Sequence, residues 1–235
     1  MGGKSLSSYH RHAFVTGASG GLGLAFAKML LGEGIRVTGT ARDTARLASL
    51  AKNPLFTPRA LDLANPSEAE AAFHDAAKAC GGEGFDLVIN NAGFGLFGAF
   101  AATDYATWQG QLDALLGTTA RLSHAAMRRM LPRKNGTLVN VSSLAAEFPL
   151  PFMSGYNMAK AGLSALSESL LFETKGTGVT VIDFRPGDYR TAFNRGMQPT
   201  AQISAADPRL APVWRQLETH LATAPLPVAA ARDLR

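Results

Sequence analysis

A single cysteine, Cys80, stands among 235 residues, so no internal disulfide can form and the chain is not a small stapled secreted fold. A free thiol on a helix in a reducing, cytoplasmic setting is the expectation. No apolar run approaches the ~20 residues that span a bilayer, so no membrane association is expected, and the start MGGKSLSSYHRH carries no apolar stretch of a signal peptide. Lysine and arginine exceed the acidic residues by a formal +5, yet they are scattered and not gathered into runs, which argues against nucleic acid as a partner. The five histidines show no ligand spacing with acidic or thiol partners, so no metal is expected. Repeats and low-complexity tracts are also missing.

With 46% hydrophobic and 17% charged residues, the chain suits one large domain over residues 13–235 behind a loose polar tail at 1–12. Its 24 glycines suit tight turns between alternating elements. From Ala13 a short apolar run, a loop and an amphipathic segment recur: AFVTG gives way to GLGLAFAKMLLGEG, IRVTGTA to DTARLASLA, and FDLVINNAG and GTLVNVSS each end a similar strand pattern. Near-continuous apolar strands alternating with helices predict an α/β fold, a doubly wound Rossmann-type parallel sheet with helices on both faces. Ligands in such sheets bind at the carboxyl ends of the strands, where the strand order reverses. Asn65 before Pro66 predicts a helix start, Gly34 a helix end, and Thr103 or Asp104 a cap for a helix running to about Leu131, where Pro132 stops it.

The stretch VTGASGGLG follows the first strand pattern and opens the first helix pattern. Gly17 permits a tight turn, Gly21 lets the backbone approach a pyrophosphate, and Gly23 allows the helix to pack closely on the strand, while the helix N-terminus offers free amides to phosphate. At the end of the second strand, GTARD places Thr40 and Ala41 where a carboxylate would receive the ribose hydroxyls of NAD, with Arg42 just after. Loss of that repulsion and a guanidinium for a 2′-phosphate favour NADP(H) over NAD(H).

In SGYNMAK, Tyr156 and Lys160 are four positions apart and share one helix face. An ammonium beside a phenol favours the phenolate, and a phenol so tuned can exchange a proton with a carbonyl oxygen as hydride arrives at its carbon.

Taken in order, TGASGGLG, LDL, NNAG, VNVSS, YNMAK and RPGDYRT resemble the short-chain dehydrogenase/reductase family in its single-domain branch. The resemblance covers residues 13 to about 191. It implies that Ser143, thirteen residues before the tyrosine, is catalytic with Tyr156 and Lys160, while Ser142 satisfies nearby backbone. It also implies cofactor contacts from Gly17, Ser19, Gly21, Leu22 and Gly23 in the turn, Asp62 and Leu63 at the adenine, and Asn91, Ala92 and Gly93 at the sheet centre. Pro186, Gly187, Tyr189 and Thr191 would hold the nicotinamide end, with Tyr156 and Lys160 at its ribose. The implied partner is a small carbonyl or alcohol substrate, with hydride passing between it and NADP(H), in a homodimer or homotetramer.

Two departures qualify that picture. Many relatives carry an asparagine three residues before the glycine matched by Gly117, where it holds a water in a proton relay; LDALLGTT has Ala114 there. After Thr191 the family continues with a substrate lid, here about 192–226 with Phe193, Met197, Ile203, Leu210, Val213, Trp214 and Leu217 on its apolar side. PLPVAAARDLR then begins a last helix with no final strand after it, so either the sheet is one strand short or the chain is truncated. A catalytically impaired nucleotide-binding sensor or scaffold of the same fold is the alternative function.

Overall fold

The computed structural model describes residues 5–81, 84–191, 193, 197 and 207–233. Six strands, β1 (His12–Val15), β2 (Arg36–Ala41), β3 (Phe56–Ala60), β4 (Leu87–Asn90), β5 (Gly136–Val141) and β6 (Val179–Phe184), form one sheet in the order β3-β2-β1-β4-β5-β6. Every pairing is parallel. The order reverses between β1 and β4, which opens a crevice at their carboxyl ends.

Alternation along the strands divides the interior into two cores. Phe14, Val88 and Leu138 point to one face, where they meet α2 (Pro66–Ala79), α4 (Thr119–Arg133) and α5 (Ser154–Glu173) through Phe73, Leu122 and Ala159. Their strand neighbours Ala13, Val15, Ile89 and Val139 point to the other, against Phe26 and Leu30 of α1 (Gly21–Gly32). A period of two on the strands therefore demands helices on both faces, as the apolar runs predicted.

Several local expectations change. The polar start is held from Ser5 onward: Ser5 Oγ donates to Glu33 Oε2 at 2.5 Å, Leu6 packs on the α1 side, and the Arg11 N–H donates to Asp86 at 2.8 Å. Asn65 takes the cap position of α2 without a side-chain cap bond, and Pro66 sits in the first turn. The single helix expected from Asp104 is α3 (Tyr105–Leu112), then a π-helical turn over Asp113–Thr118, then α4. Asp104 does cap it, accepting from the Ala106 N–H at 3.2 Å. Pro132 lies inside the last turn of α4, which runs one residue further to Arg133, where the Arg133 Nε donates to the Arg129 carbonyl at 3.0 Å. The helix closes at Lys134, in the left-handed region at φ 51°.

Beyond the sheet, α6 (Leu210–Thr223) sets Leu210, Val213, Trp214 and Leu217 against the first core, and α7 (Val228–Asp233) packs Ala230 and Ala231 beside α1. Ile203 of the expected lid lies outside the described residues. No helix among the described residues is long and apolar enough to cross a membrane.

Candidate active site

The crevice is a cavity of about 550 Å³ that runs from the glycine turn to the start of α5. Gly17, at φ +70°, begins the turn, and a Cβ on it would lie 2.9 Å from the Ala92 Cα. Gly21, at φ +54°, faces Thr191 across the opening, with the Thr191 Cγ2 3.3 Å from where its Cβ would be. Thr16 joins the two central loops: its Oγ1 accepts from the N–H groups of Asn91 and Ala92, each at 2.9 Å, and its carbonyl accepts from Asn91 Nδ2 at 2.9 Å. Of the expected cofactor contacts, Gly17, Ser19, Gly21, Leu22, Arg42, Asp62, Leu63, Asn91, Ala92, Gly93, Pro186, Gly187, Tyr189 and Thr191 all border this cavity. Gly23 does not; it lies under the turn, where a Cβ would come within 2.3 Å of the Gly17 carbonyl oxygen.

Sequence reasoning missed several groups here. Thr16 is one, and its hydroxyl matters only through contacts 75 and 76 residues away. Arg46 joins Arg42 at the cavity wall because Asp43 caps a short turn over Thr44–Leu47, accepting from the Ala45 N–H at 2.9 Å. Their spacing of four residues was the available signal. Asp188 places a carboxylate on the wall, paired with His220 of α6 at 3.1 Å.

At the other end, Ser143 begins a short turn over Leu144–Ala146, its Oγ accepting from the Ala145 N–H at 3.1 Å, and it is hydrogen-bonded to Tyr156. The Lys160 Nζ lies 5.7 Å from the Tyr156 ring centroid and donates to the Val141 carbonyl at 2.7 Å. Ser142 also borders the cavity, but its Oγ donates to Asp183 at 2.5 Å, with a longer 3.3 Å contact to the Phe184 carbonyl. The expected backbone role is thus secondary.

The electrostatics also differ from the expectation. Burial pushes the Tyr156 phenol up to about 12, opposed by the Ser143 hydrogen bond and reinforced by Asp188. Burial also pushes Lys160 down to about 8, against the pull of Asp183. Desolvation of both groups outweighs the mutual help that their spacing suggested. In this state the phenol holds its proton throughout the neutral range.

Ala114 sits buried in the π turn and lines the cavity, and its neighbour Asp113 accepts from Gln109 Nε2 at 2.8 Å on the outer surface. Asp113 therefore does not take the missing asparagine's place. Among the phenylalanines, Phe94 and Phe193 border the cavity, Phe97 packs on Phe152 and Trp214 in the core, and Phe148 is exposed. Arg190 is exposed and outside the lining.

A parallel sheet with a glycine turn at its switch point and a serine, tyrosine and lysine across the same crevice defines a dinucleotide-dependent oxidoreductase class. The family model described as short chain dehydrogenase matches residues 11–202. The chain is 30% identical to the 3-oxoacyl-(acyl-carrier-protein) reductase FabG of Vibrio cholerae over 199 residues, 82% of this chain and 80% of that protein. It is 33% identical to the uncharacterized oxidoreductase YvrD of Bacillus subtilis over 198 residues, 82% of this chain and 74% of that one. A short-chain dehydrogenase structure from Streptomyces avermitilis matches with a TM-score of 0.82 and 29% identity, over 96% of this chain and 82% of that one. The chain belongs to the short-chain dehydrogenases, and is an oxidoreductase of the kind that works between CH–OH and C=O groups.

That family uses a nicotinamide dinucleotide, and the residues present fit one. The glycine turn leaves a cradle that side chains would fill, Thr191 closes it from the opposite loop, and the cavity continues without a break to Tyr156.

Proposed function

We propose that the protein is an NADP(H)-dependent carbonyl reductase in which Tyr156 is the proton donor. The observation that carries this reading is the continuity of one cavity, with Arg42 and Arg46 at one end and Ser143, Tyr156 and Lys160 at the other. Two guanidiniums, with threonine and alanine and not a carboxylate at positions 40 and 41, suit the 2′-phosphate of NADP(H), since each guanidinium can make charge-assisted bonds to it. Asp62 and Leu63 would border the adenine, Asn91, Ala92 and Gly93 its ribose and the sheet centre, and the loop from Pro186 to Thr191 the nicotinamide end.

When bound, the cofactor supplies the hydride. The protein's own groups do the rest. A ketone oxygen within reach of the Ser143 and Tyr156 hydroxyls receives hydrogen bonds as its negative charge grows, and the phenol then yields its proton to that oxygen. A phenol held near 12 is protonated at neutral pH, the state that reduction requires. The phenolate left behind is stabilised by the ammonium of Lys160, whose charge is worth most where water is excluded. Substrate selection follows from Phe94, Leu150, Met153, Phe193, Met197 and Leu217, an apolar wall that suits a hydrophobic ketone. The described part of the expected lid contributes Phe193, whose ring centroid is 5.6 Å from that of Tyr156, and the buried Met197.

The test is a screen of hydrophobic ketones, quinones and acyl-thioesters with NADPH and NADH, repeated with Tyr156→Phe. Turnover should fall by about three orders of magnitude in that variant, with NADPH affinity nearly unchanged. Undiminished turnover in Tyr156→Phe would remove the assigned proton donor.

A further inference from the structure

We propose that Asp183 is a positioning residue for Lys160: held by Ser142, just past β5, and by Ser164 of α5, its carboxylate ties the strand end that carries Ser143 to the helix that carries Lys160, and keeps a negative charge behind the ammonium. This rests on the reading of Ser143, Tyr156 and Lys160 as the reacting set.

The geometry is a closed circuit. Asp183 lies near the end of β6, in register with Asn140 of β5. Its Oδ1 accepts from Ser142 Oγ at 2.5 Å, and its Oδ2 accepts from Ser164 Oγ at 2.5 Å. Ser164 is one helical turn beyond Lys160, so both side chains leave α5 on the same face. Lys160 in turn donates to the carbonyl of Val141, the residue before Ser142. Strand end, carboxylate and helix thus lock one another, and the active serine is the next residue along the chain.

The need for such a group comes from burial. Lys160 is 5% exposed, and an ammonium there tends to lose its proton. Among the described residues, the charge of Asp183 opposes this. The side chain at the relay position offers no polar help, because Ala114 is an alanine; around Gly93 the Leu115 side chain and the Asn91 carbonyl oxygen lie alongside the Lys160 Nζ. The carboxylate is also held by Arg185, whose Nε donates to Oδ2 at 2.5 Å and whose other nitrogens reach Glu147 and Glu168. The titratable and charged groups around Lys160 and Asp183 are therefore Tyr156 from α5 and Arg185 just past β6, with Glu168 of α5 and Glu147 after β5 on the far side of Arg185. Asp188, beyond β6, acts on Tyr156.

Lysine labelled with 13C at Cε allows the proton on Lys160 to be followed directly by NMR, its resonance being the one lost in Lys160→Arg. In Asp183→Asn, which keeps the shape and can still accept from a serine, the titration midpoint should fall by about one pH unit, a tenfold loss of proton affinity. In Arg185→Gln, which removes a competing cation, it should rise. An unmoved midpoint in Asp183→Asn, even with a lowered melting temperature, would make the residue a structural tie only and overturn the proposal. Should Asp183→Asn fail to fold, Arg185→Gln decides, and a midpoint that stays or falls there overturns it. The titration needs no turnover, so the fate of Tyr156→Phe tests the reaction assignment separately.

Discussion

The carbonyl oxygen of Gly17 occupies the space that a side chain on Gly23 would need: a Cβ there would lie 2.3 Å from it, and 2.5 Å from Asn91 Nδ2. Helix α1 is therefore pressed against the turn that precedes it, with the Asn91 amide filling the same corner. In Gly23→Ala either the turn or the helix start must shift, since both near atoms are held by backbone or by the Thr16 carbonyl. We expect a loss of on the order of 1–3 kcal/mol in unfolding free energy, and a cofactor affinity that falls by more than the stability loss implies. Chemical denaturation and NADPH titration by fluorescence check both.

Replacing Lys160 by methionine should separate stability from function. Below about 8 the native lysine is charged in a buried place, and the unfolded lysine keeps its proton to its ordinary 10.5. The unfolded state thus binds more protons between those values, and wild-type stability rises with pH across that window. Lys160→Met has no such dependence. Its melting temperature should exceed wild type at pH 7, the gap should narrow from pH 8 to 10, and turnover should be lost throughout.

The amino-terminal histidines set an acid limit. Burial holds His10 below its ordinary 6.5, opposed by Asp86, and burial together with Arg36 lowers His12. The unfolded chain then takes up protons first as pH falls, so stability present above about 6.5 is lost as pH drops through the lower native values. Thermal unfolding followed from pH 7 to pH 5 should show a steeper decline for wild type than for His10→Gln combined with His12→Gln.

Arg42 and Arg46 are exposed on the cavity wall, so their removal should leave the fold intact. Arg42→Ala and Arg46→Ala should each lower NADPH affinity by about tenfold, the worth of a charge-assisted hydrogen bond, and leave NADH affinity almost unchanged. Isothermal titration with both dinucleotides reads the ratio. Equal losses for NADH and NADPH would remove the 2′-phosphate as their target.

How much of this could be read from the residues varies with the range of the interaction. The alternation of strand and helix was legible because Phe14, Val88 and Leu138 fall on one face and Ala13, Ile89 and Val139 on the other by their spacing alone. The glycine turn and the pairing of Tyr156 with Lys160 were legible for the same reason, each lying within a few residues of chain. Elements that answer to distant neighbours were not. The π turn at Asp113–Thr118 is held from outside its own segment, with Thr118 Oγ1 donating to the Leu63 carbonyl at 2.7 Å. Pro132 signals a stop locally because it lacks the N–H a helix needs, yet α4 runs on to Arg133, whose side chain bonds within the last turn and reaches across to the Phe85 carbonyl.

The sequence by itself determined the fold class, the place of the glycine turn and the shared face of Tyr156 and Lys160, since periodicity, glycine placement and i,i+4 spacing are local properties. Only the tertiary structure decided what those groups become once buried. Spacing pointed to a phenol made more acidic by its lysine. Folding surrounds both with apolar atoms and raises the tyrosine while lowering the lysine, because the cost of desolvating a charge depends on everything packed around it. The same holds for Asp183, an unremarked strand residue until Ser142 and Ser164 close on it from 41 and 19 residues away.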